Sequence, residues 1–388
     1  MYVEPMRPGT AGEGIRGLQR VLGEYGEGGR LMIVTGGLHG NEPAGVLALQ
    51  RVLRRLEERR PRARGRPVAL SGNHAALARN VRYVDRDMNR IWCPSEIGQR
   101  NLSDAARDQS EESEQRVLLA EIQARMAAAR GPVVFLDLHS TSAPGAPFAI
   151  LGDTLRNREI GFAFGIPVIL GLEENVHCTL LEHFGEQGHV AVGVEGGSHS
   201  DPSTVDHHEA IVWIALVAAG ILSRADVPEL EAHRALLASA SKGLPTVLEV
   251  QYRYDISDGE EFRMEPGFTN FQPVEKGRLL ALADGREVRA ESRGVLLMPR
   301  YQGQGRDGFF LTRRVRPFWL RVSALLRGLN LDGVLPLLPG VRRHNGAAHT
   351  LAVNRRVARW YRRDVFHLFG YRRMHLEGDV RIFSKRVE

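Results

Sequence analysis

The chain has 388 residues, of which 43% are apolar, so it is long enough for a sizeable core and for more than one domain. This composition excludes disordered, collagen-like and coiled-coil proteins. The net charge of +6 is unevenly distributed, because residues 301–388 hold 18 Lys and Arg against 6 Asp and Glu, whereas residues 1–300 hold 34 against 40. The basic character therefore belongs to the C-terminal segment.

Signals for export and for membrane insertion are missing. The start, MYVEPMRPGT, lacks the charged and apolar blocks of a secretory signal, and no apolar stretch approaches the roughly 20 residues of a membrane span. The two cysteines, Cys93 and Cys178, cannot make a disulfide framework and lack the paired spacing of a zinc site, so we interpret them as incidental. We expect a cytoplasmic protein without a membrane span.

Residues 1–240 alternate short β-branched runs with longer amphipathic stretches, which is typical of a parallel or mixed sheet covered by helices. The predicted strands are 31–35, 67–70, 133–138, 148–151, 167–170 and 190–195, and the predicted helices are 44–59, 111–129 and 206–222. The polar stretch 94–114 is predicted to be a long loop.

The sequence changes character twice after residue 240. Short runs punctuated by glycine predict a small antiparallel β domain over residues 241–315. Its predicted strands are 246–254, 277–283, 294–298 and 308–311. The Leu-rich and Arg-rich residues 316–388 predict a basic helical extension, which includes a helix over 353–363.

The segment TGGLHGNEPAG carries the strongest chemical signal, because His39 and Glu42 follow a predicted strand in a glycine-rich turn. An imidazole and a carboxylate at this spacing can bind one metal ion, and a catalytic zinc needs a third protein ligand. His139, in VVFLDLHSTS, also ends a strand and is the best candidate. Asp137 could orient a ligating imidazole. Alternatively, Asp137 caps a nearby turn.

A second segment, HVAVGVEGGSH, supplies a candidate catalytic base. Glu195 ends an apolar strand, where burial of a carboxylate costs free energy unless the group has a functional role or a partner. Beside a metal it could serve as general base and then as proton donor to a leaving nitrogen. The alternative is a structural carboxylate that pairs with an arginine.

The segment RYVDRDMNR concentrates arginine, aspartate and asparagine. Arg82 would suit a carbonyl oxygen that becomes an oxyanion, and Asn89 with Arg90 would suit a substrate carboxylate. Without a metal site nearby, this segment would be interpreted as a run of surface ion pairs.

The motifs HGNEPAG, RYVDRDMNR, DLHSTS and VGVEGG, in this order, resemble the aspartoacylase and succinylglutamate desuccinylase family of the zinc carboxypeptidase superfamily. The resemblance covers roughly residues 28–315. It implies a carboxypeptidase-like α/β domain with a small β domain, and one zinc ion per chain bound by His39, Glu42 and His139. It also implies that Glu195 is the catalytic carboxylate, that Arg82 polarises the scissile carbonyl, and that Asn89 and Arg90 hold a substrate carboxylate.

Two departures from the family pattern bear on the substrate. The stretch LLEHFGEQGH before Glu195 contains no arginine, where aspartoacylases have one that grips the substrate. Phe309 and Phe310 stand roughly where the family's β domain contributes a tyrosine. We therefore expect a substrate with one carboxylate and a more apolar remainder, rather than N-acetylaspartate.

We interpret the remaining histidines as surface or packing residues. They are His74, His177, His183, His189, His199, His207 and His208, and His199, just after the Glu195 strand, is the one that could take part in the site.

The leading hypothesis is zinc-dependent hydrolysis of the amide of a small N-acylated amino acid, by a protein that could form a homo-oligomer. The alternatives are a carboxypeptidase-like peptidase acting on a short peptide, and a non-catalytic anion-binding protein that acts through its basic C-terminal segment. Arg-dense stretches around Trp360, Tyr361 and Phe366 could contact nucleic acid or an anionic surface. We favour instead an extension whose arginines pair with the acidic first 300 residues.

Overall fold

The computed structural model describes residues 14–102, 105–344, 349–354, 363–377 and 380–386. The strands, in chain order, are β1 (Val21–Glu24), β2 (Arg30–Gly36), β3 (Gly65–Ser71), β4 (Val134–Thr141), β5 (Phe148–Leu151), β6 (Val168–Leu170), β7 (Val190–Ser198), β8 (Val247–Asp255), β9 (Phe262–Met264), β10 (Pro273–Val274), β11 (Leu279–Ala283), β12 (Arg286–Arg289), β13 (Gly294–Leu297), β14 (Asp307–Arg314), β15 (Val341–Arg343), β16 (Thr350–Asn354), β17 (Tyr371–Glu377) and β18 (Val380–Lys385).

The α-helices are α1 (Ala44–Arg59), α2 (His74–Arg79), α3 (Pro94–Leu102), α4 (Ser110–Met126), α5 (Leu155–Ala163), α6 (Leu180–Glu186), α7 (Ser203–Ala218), α8 (Leu230–Ala240), α9 (Pro317–Gly328) and α10 (Arg363–Leu368). Short 3₁₀ turns lie at Met88–Arg90, Ala105–Arg107, Leu172–Glu174, Arg224–Asp226 and Leu331–Leu337.

A mixed sheet forms the centre of the molecule, in the order β1-β3-β2-β4-β7-β5-β6-β8-β14-β13-β10. Its middle strands β3, β2, β4 and β7 are parallel, and β5 runs antiparallel to β7. Successive residues of a strand point to opposite faces, so Val34 joins the core on one side while Ile33 joins the core on the other. Both faces are covered, which explains why these strands are continuous apolar runs.

The predicted α/β class is confirmed, and α1 has the predicted bounds. The prediction of one long loop over 94–114 is wrong, because α3 occupies its first part and α4 begins at Ser110. The apolar signal of α3 is weak, since Ile97 is its main contribution to the core. The start of α4 is fixed by a capping box between Gln109 and Glu112 rather than by apolar residues.

The region predicted as a small β domain continues the main sheet. Strand β8 pairs with β6 in parallel and with β14 in antiparallel fashion, which carries the sheet into residues 241–315. Strands β12, β11 and β9 form a separate antiparallel sheet. One continuous sheet therefore joins residues 241–315 to residues 1–240.

The C-terminal extension contains the predicted helical elements α9 and α10, but it also contains a four-stranded antiparallel sheet that was not predicted. The predicted helix over 353–363 is wrong at its start, because Val353 and Asn354 end β16; its residues 355–362 lie outside the described part. Alternate residues Leu351 and Val353 enter a core with Phe383, and this period of two belongs to a strand.

Among the described residues, none of the helices combines the length and the apolar character that a membrane crossing requires.

Candidate active site

Three neighbouring parallel strands bring the predicted site residues to one edge of the sheet. Strand β4 lies between β2 and β7, and His139 of β4 stands directly opposite Glu195 of β7. On the other side, Gly36 at the end of β2 stands opposite Leu138, so the following turn places His39 and Glu42 at the same edge. The strand-end arrangement that the sequence indicated is therefore present.

Glycines in the turn after β2 allow three segments to meet closely. A Cβ atom at Gly40 would overlap the backbone of Ala76 in α2, and one at Gly36 would lie 2.8 Å from the carbonyl carbon of Gly45 in α1. No larger residue fits either position without displacing a helix. The glycines therefore fix how His39 and Glu42 face the sheet.

His39, Glu42 and His139 form a buried cluster whose potential ligand atoms all lie within 4.8 Å of one another. Nδ1 of His39 is 2.9 Å from one carboxylate oxygen of Glu42, and Nδ1 of His139 is 3.0 Å from the other. Burial acts to raise the pKa of Glu42, but the charges and hydrogen bonds of the two imidazoles outweigh it and hold that pKa well below its usual range. The cluster thus keeps an ionised carboxylate between two ring nitrogens.

A carboxylate stands behind each imidazole. Nε2 of His139 lies 2.7 Å from Asp137, which in turn accepts a hydrogen bond of 2.6 Å from Thr35. Nε2 of His39 lies 3.0 Å from Asp87. Such outer carboxylates orient ligating imidazoles and raise their basicity. Asp137 thus lies where the sequence predicted an orienting carboxylate. Asp87 has the same position behind His39, but the sequence pointed only to its segment and not to this residue.

Glu195 is buried and faces the same cleft as the cluster. Its Oε2 atom is buried and has no hydrogen-bond partner within the described part of the chain. Burial raises the pKa of Glu195 to about 7, with the nearby charge of His139 opposing this rise and that of Glu42 adding to it. A carboxyl group with such a pKa can accept and release a proton near neutral pH.

The arginine-rich segment reaches the cleft from the other side. Nη1 of Arg82 lies 3.6 Å from Glu42, and its Nε and Nη2 donate to Asp87 at 3.0 and 2.9 Å. Asn89 lines the cleft and accepts a hydrogen bond from the backbone of Leu180 through Oδ1.

Arg90 also lines the cleft, where it pairs with Asp307 at 2.6 Å. Asp307 accepts a second hydrogen bond from Arg253. The 241–315 region thus supplies an anion next to Arg90, which the sequence did not indicate.

The loop between β13 and β14 crosses the cleft and contacts the catalytic motifs. Gln302 accepts a hydrogen bond of 2.8 Å from Asn41 and lies 3.2 Å from Nε2 of His199. Gln304 accepts from the backbone of Arg82 and donates to the carbonyl of Tyr83. Of the two phenylalanines considered at the tyrosine position, Phe310 lines the cleft, whereas Phe309 is buried in the core of the 241–315 region.

The interpretation of the cysteines as incidental is wrong, because Cys93 and Cys178 are joined by a disulfide with a Cα–Cα distance of 4.5 Å. The bond connects the segment after Arg90 to the segment before α6. Their separation of 85 residues gave no spacing signal. His199, the histidine nearest a motif, lies 2.8 Å from the hydroxyl of Ser140, next to the cluster.

Comparison with known proteins agrees with this geometry. Residues 28–202 match the family model described as the succinylglutamate desuccinylase/aspartoacylase catalytic domain. The succinylglutamate desuccinylase of Pseudomonas paraeruginosa is 36% identical over 61 residues, which are 16% of this chain and 18% of that protein. The match therefore spans less than a fifth of that relative's length.

Solved structures extend the likeness of fold. The succinylglutamate desuccinylase/aspartoacylase of Rhodobacter sphaeroides has a TM-score of 0.56 at 18% identity, over 76% of this chain and 88% of that one. The succinylglutamate desuccinylase of Vibrio parahaemolyticus has a TM-score of 0.52 at 15% identity, over 74% and 82%. The predicted resemblance to the succinylglutamate desuccinylase/aspartoacylase family is confirmed, and the match to its catalytic-domain model spans residues 28–202.

Proposed function

We propose that the protein is a zinc-dependent amidohydrolase that cleaves the amide of a small N-acylated amino acid and releases a carboxylate and an amine. The observation that carries this proposal is the position of Glu195, which lines the same cleft as the cluster of His39, Glu42 and His139 and whose Oε2 atom has no hydrogen-bond partner among the described residues. A buried carboxylate without a donor is costly, and a substrate or water in the cleft would satisfy it.

The chemistry of the cluster fits zinc. Two imidazoles and one carboxylate are a common catalytic donor set, which leaves a fourth position open. Asp87 and Asp137 occupy the far nitrogens of the two rings, so both Nδ1 atoms are directed to the carboxylate of Glu42. When bound, zinc supplies a lowered pKa for water and polarisation of a carbonyl group.

The chain's own residues perform the proton transfers and hold the substrate. Glu195 takes a proton from the attacking water and delivers it to the amide nitrogen as the C–N bond breaks. Arg82, held toward the cluster by Asp87, stabilises the carbonyl oxygen as it gains negative charge. Asn89 and Arg90 bind the substrate carboxylate, with Asp307 as the group that holds Arg90 in place.

The crossing loop favours a small substrate over a peptide. Gln302 and Gln304 connect this loop to Asn41 and Arg82 on the opposite side of the cleft. A chain that continued in both directions would have to displace these hydrogen bonds. For this reason we rank a carboxypeptidase-like peptidase, acting on a short peptide, below the amidohydrolase as the second candidate.

The arginines of the extension support a docking role for that segment. Arg327 and Arg372 are buried, and Asp153 of the catalytic region pairs with both. This agrees with the docked extension that we favoured over a contact of residues 316–388 with nucleic acid or an anionic surface.

Metal analysis combined with a substrate panel tests the proposal. We expect about one zinc per chain, loss of activity with a chelator and recovery with zinc. The panel contains N-acyl amino acids, N-acetylaspartate and short peptides. Faster cleavage of N-acetylaspartate than of the other N-acyl amino acids would contradict the expected substrate class. Cleavage of peptides alone would favour the second candidate.

A further inference from the structure

The disulfide between Cys93 and Cys178 joins two segments that both contribute to the cleft. One segment carries Asn89 and Arg90, shortly before Cys93, and both of these residues line the cleft. The other carries Thr179, which directly follows Cys178 and lines the same cleft. The bond therefore connects the residues that the proposed function assigns to the substrate carboxylate with a second wall of the site.

Hydrogen bonds connect the same two segments next to the disulfide. Oδ1 of Asn89 accepts a hydrogen bond of 2.9 Å from the backbone nitrogen of Leu180. The backbone nitrogen of Trp92 donates to the carbonyl oxygen of Cys178, also at 2.9 Å. The position of the segment around Cys178 is thus coupled to the position of Asn89.

A chain of ion pairs connects Arg90 to the start of the same turn. Asp307 accepts hydrogen bonds of 2.6 Å from Arg90 and from Arg253. Arg253 also donates to the carbonyl oxygen of Asn175 at 2.6 Å. Residues 176–179 therefore form a short turn whose two ends are both bonded to the carboxylate-binding side of the cleft.

The backbone of Cys178, in the middle of this turn, is left-handed, with φ at 58°. This conformation costs free energy in a residue with a Cβ atom, and it persists only where the surroundings hold it. Arg60 and Asn80 adopt it at the ends of α1 and α2, where helices commonly end in this way. Cys178 instead precedes α6, so the covalent bond to Cys93 is what holds its backbone.

The disulfide is within reach of a reductant. Cys93 and Cys178 are both partly exposed, and their neighbours Pro94 and His177 are exposed. Exposed disulfides are reduced more readily than buried ones. A dithiol would break the S–S bond by giving two electrons and two protons to the cysteines, which become thiols, while the dithiol itself becomes a disulfide.

We propose that the Cys93–Cys178 disulfide is a reversible redox control of substrate binding. With the bond formed, Cys178 stays left-handed, and Thr179 and Leu181 keep their places in the cleft. After reduction, Cys178 relaxes out of the left-handed region, the turn shifts, and the carboxylate-binding side loses part of its preorganisation. Glu195 and the metal cluster lie outside this turn, so the chemical step keeps its groups. The inference rests on the proposed function and adds the regulation of that site.

Kinetics of the zinc-loaded full chain in the two redox states test the proposal. The reductant is tris(2-carboxyethyl)phosphine, which takes oxygen from water, becomes its oxide and leaves two thiols. It replaces dithiols because these chelate zinc, and zinc content is measured in both states. On the best N-acyl amino acid of the panel, reduction should raise KM by about three- to tenfold and change kcat by less than about twofold. Reoxidation should restore KM.

Three variants separate the bond from the backbone of Cys178. Cys93→Ser should have the KM of the reduced wild type and should not respond to the phosphine. Cys178→Ser should behave in the same way. Cys178→Asn is its matched control, because asparagine adopts the left-handed backbone more readily. Its KM should stay near that of the oxidised wild type, and equal KM values in Cys178→Asn and Cys178→Ser would overturn the role of the backbone.

Hydrogen exchange provides a measurement that needs no turnover. Reduction should speed the exchange of backbone amides in residues 176–182 and leave those of α8, residues 230–240, unchanged. Two reactive thiols in the untreated protein, or equal KM in the two redox states, would overturn the inference while the proposed function stands. A lower melting temperature with unchanged KM would likewise reduce the bond to a structural role. Faster exchange in 176–182 without cleavage of any panel member would contradict the proposed function alone, and unchanged exchange without cleavage would overturn both.

Discussion

Two clusters of histidine and carboxylate in this molecule have nearly the same composition and opposite surroundings. The first cluster consists of His39, Glu42 and His139, and the second consists of Glu249, Asp364 and His367. In each cluster the potential ligand atoms, one per residue, all lie within 4.8 Å of one another. The first borders the cleft beside Glu195. The second lies where the C-terminal extension meets the catalytic sheet.

The second cluster is neutralised by arginine. Glu249 binds Arg372 at 2.7 Å, Arg313 at 2.5 Å and Nδ1 of His367 at 3.0 Å. Arg313 also pairs with Asp364. A cation would have to displace guanidinium groups that already satisfy the carboxylates. Residue types alone therefore do not define a metal site, because the positive charge already present decides whether a metal can bind.

Loss of one imidazole from each cluster is expected to give the largest contrast. His139→Ala should abolish stoichiometric zinc binding and lower kcat/KM by at least about 10³-fold, because zinc supplies several kcal/mol of transition-state stabilisation. His367→Ala should retain zinc and most activity. Metal analysis and kinetics on both variants check this, and equal zinc loss in the two would mean that the clusters were assigned wrongly.

Removal of the arginine that the second cluster needs should destabilise the fold. Arg372→Met removes the guanidinium that Asp153 and Glu249 share, at an expected cost of about 1.5–3 kcal/mol in the free energy of unfolding, because each carboxylate keeps a second arginine. Denaturant unfolding measures it. Arg289→Met, at an exposed ion pair with Glu287, is the control and should change stability little. Equal effects would show that the docking network does not hold the extension.

A smaller effect is expected from the carboxylate behind His139. Asp137→Asn should weaken zinc binding by about 10- to 100-fold, because an amide orients the ring without raising its basicity. Competition with a chromogenic chelator measures the affinity. Unchanged affinity would leave Asp137 with the structural role considered as its alternative.

Acid should gradually weaken the ion pairs that Arg372 makes with Asp153 and Glu249. Burial acts to raise the pKa of Asp153 and of Glu249, but in each case arginine charges, joined for Glu249 by His367, outweigh it and lower the pKa. Carboxylates whose folded-state pKa is lowered contribute stability above their unfolded values near 4, and this contribution is lost as the pH falls below them. Unfolding free energy should therefore fall below about pH 4, and less steeply in Arg372→Met. Parallel curves for the two proteins would contradict this.

The fold of residues 28–202 could be predicted because its strands are buried on both faces and its site residues follow glycine-rich strand ends. Asp87 was missed as an orienting residue because it lies among arginines that equally suit a surface ion pair. The sheet of the extension and the disulfide depend on contacts between distant residues, such as Cys93 with Cys178, which local patterns do not encode.

The role of Glu195 is the central claim, and one comparison tests it most directly. Glu195→Gln keeps the shape of the side chain and removes its ability to carry the proton, so zinc should remain at about one per chain while kcat falls by about 10²- to 10⁴-fold. Glu159→Gln, at an exposed position of α5, should match the wild type in both measurements. Zinc-loaded Glu195→Gln that retains wild-type turnover would contradict the proposed mechanism.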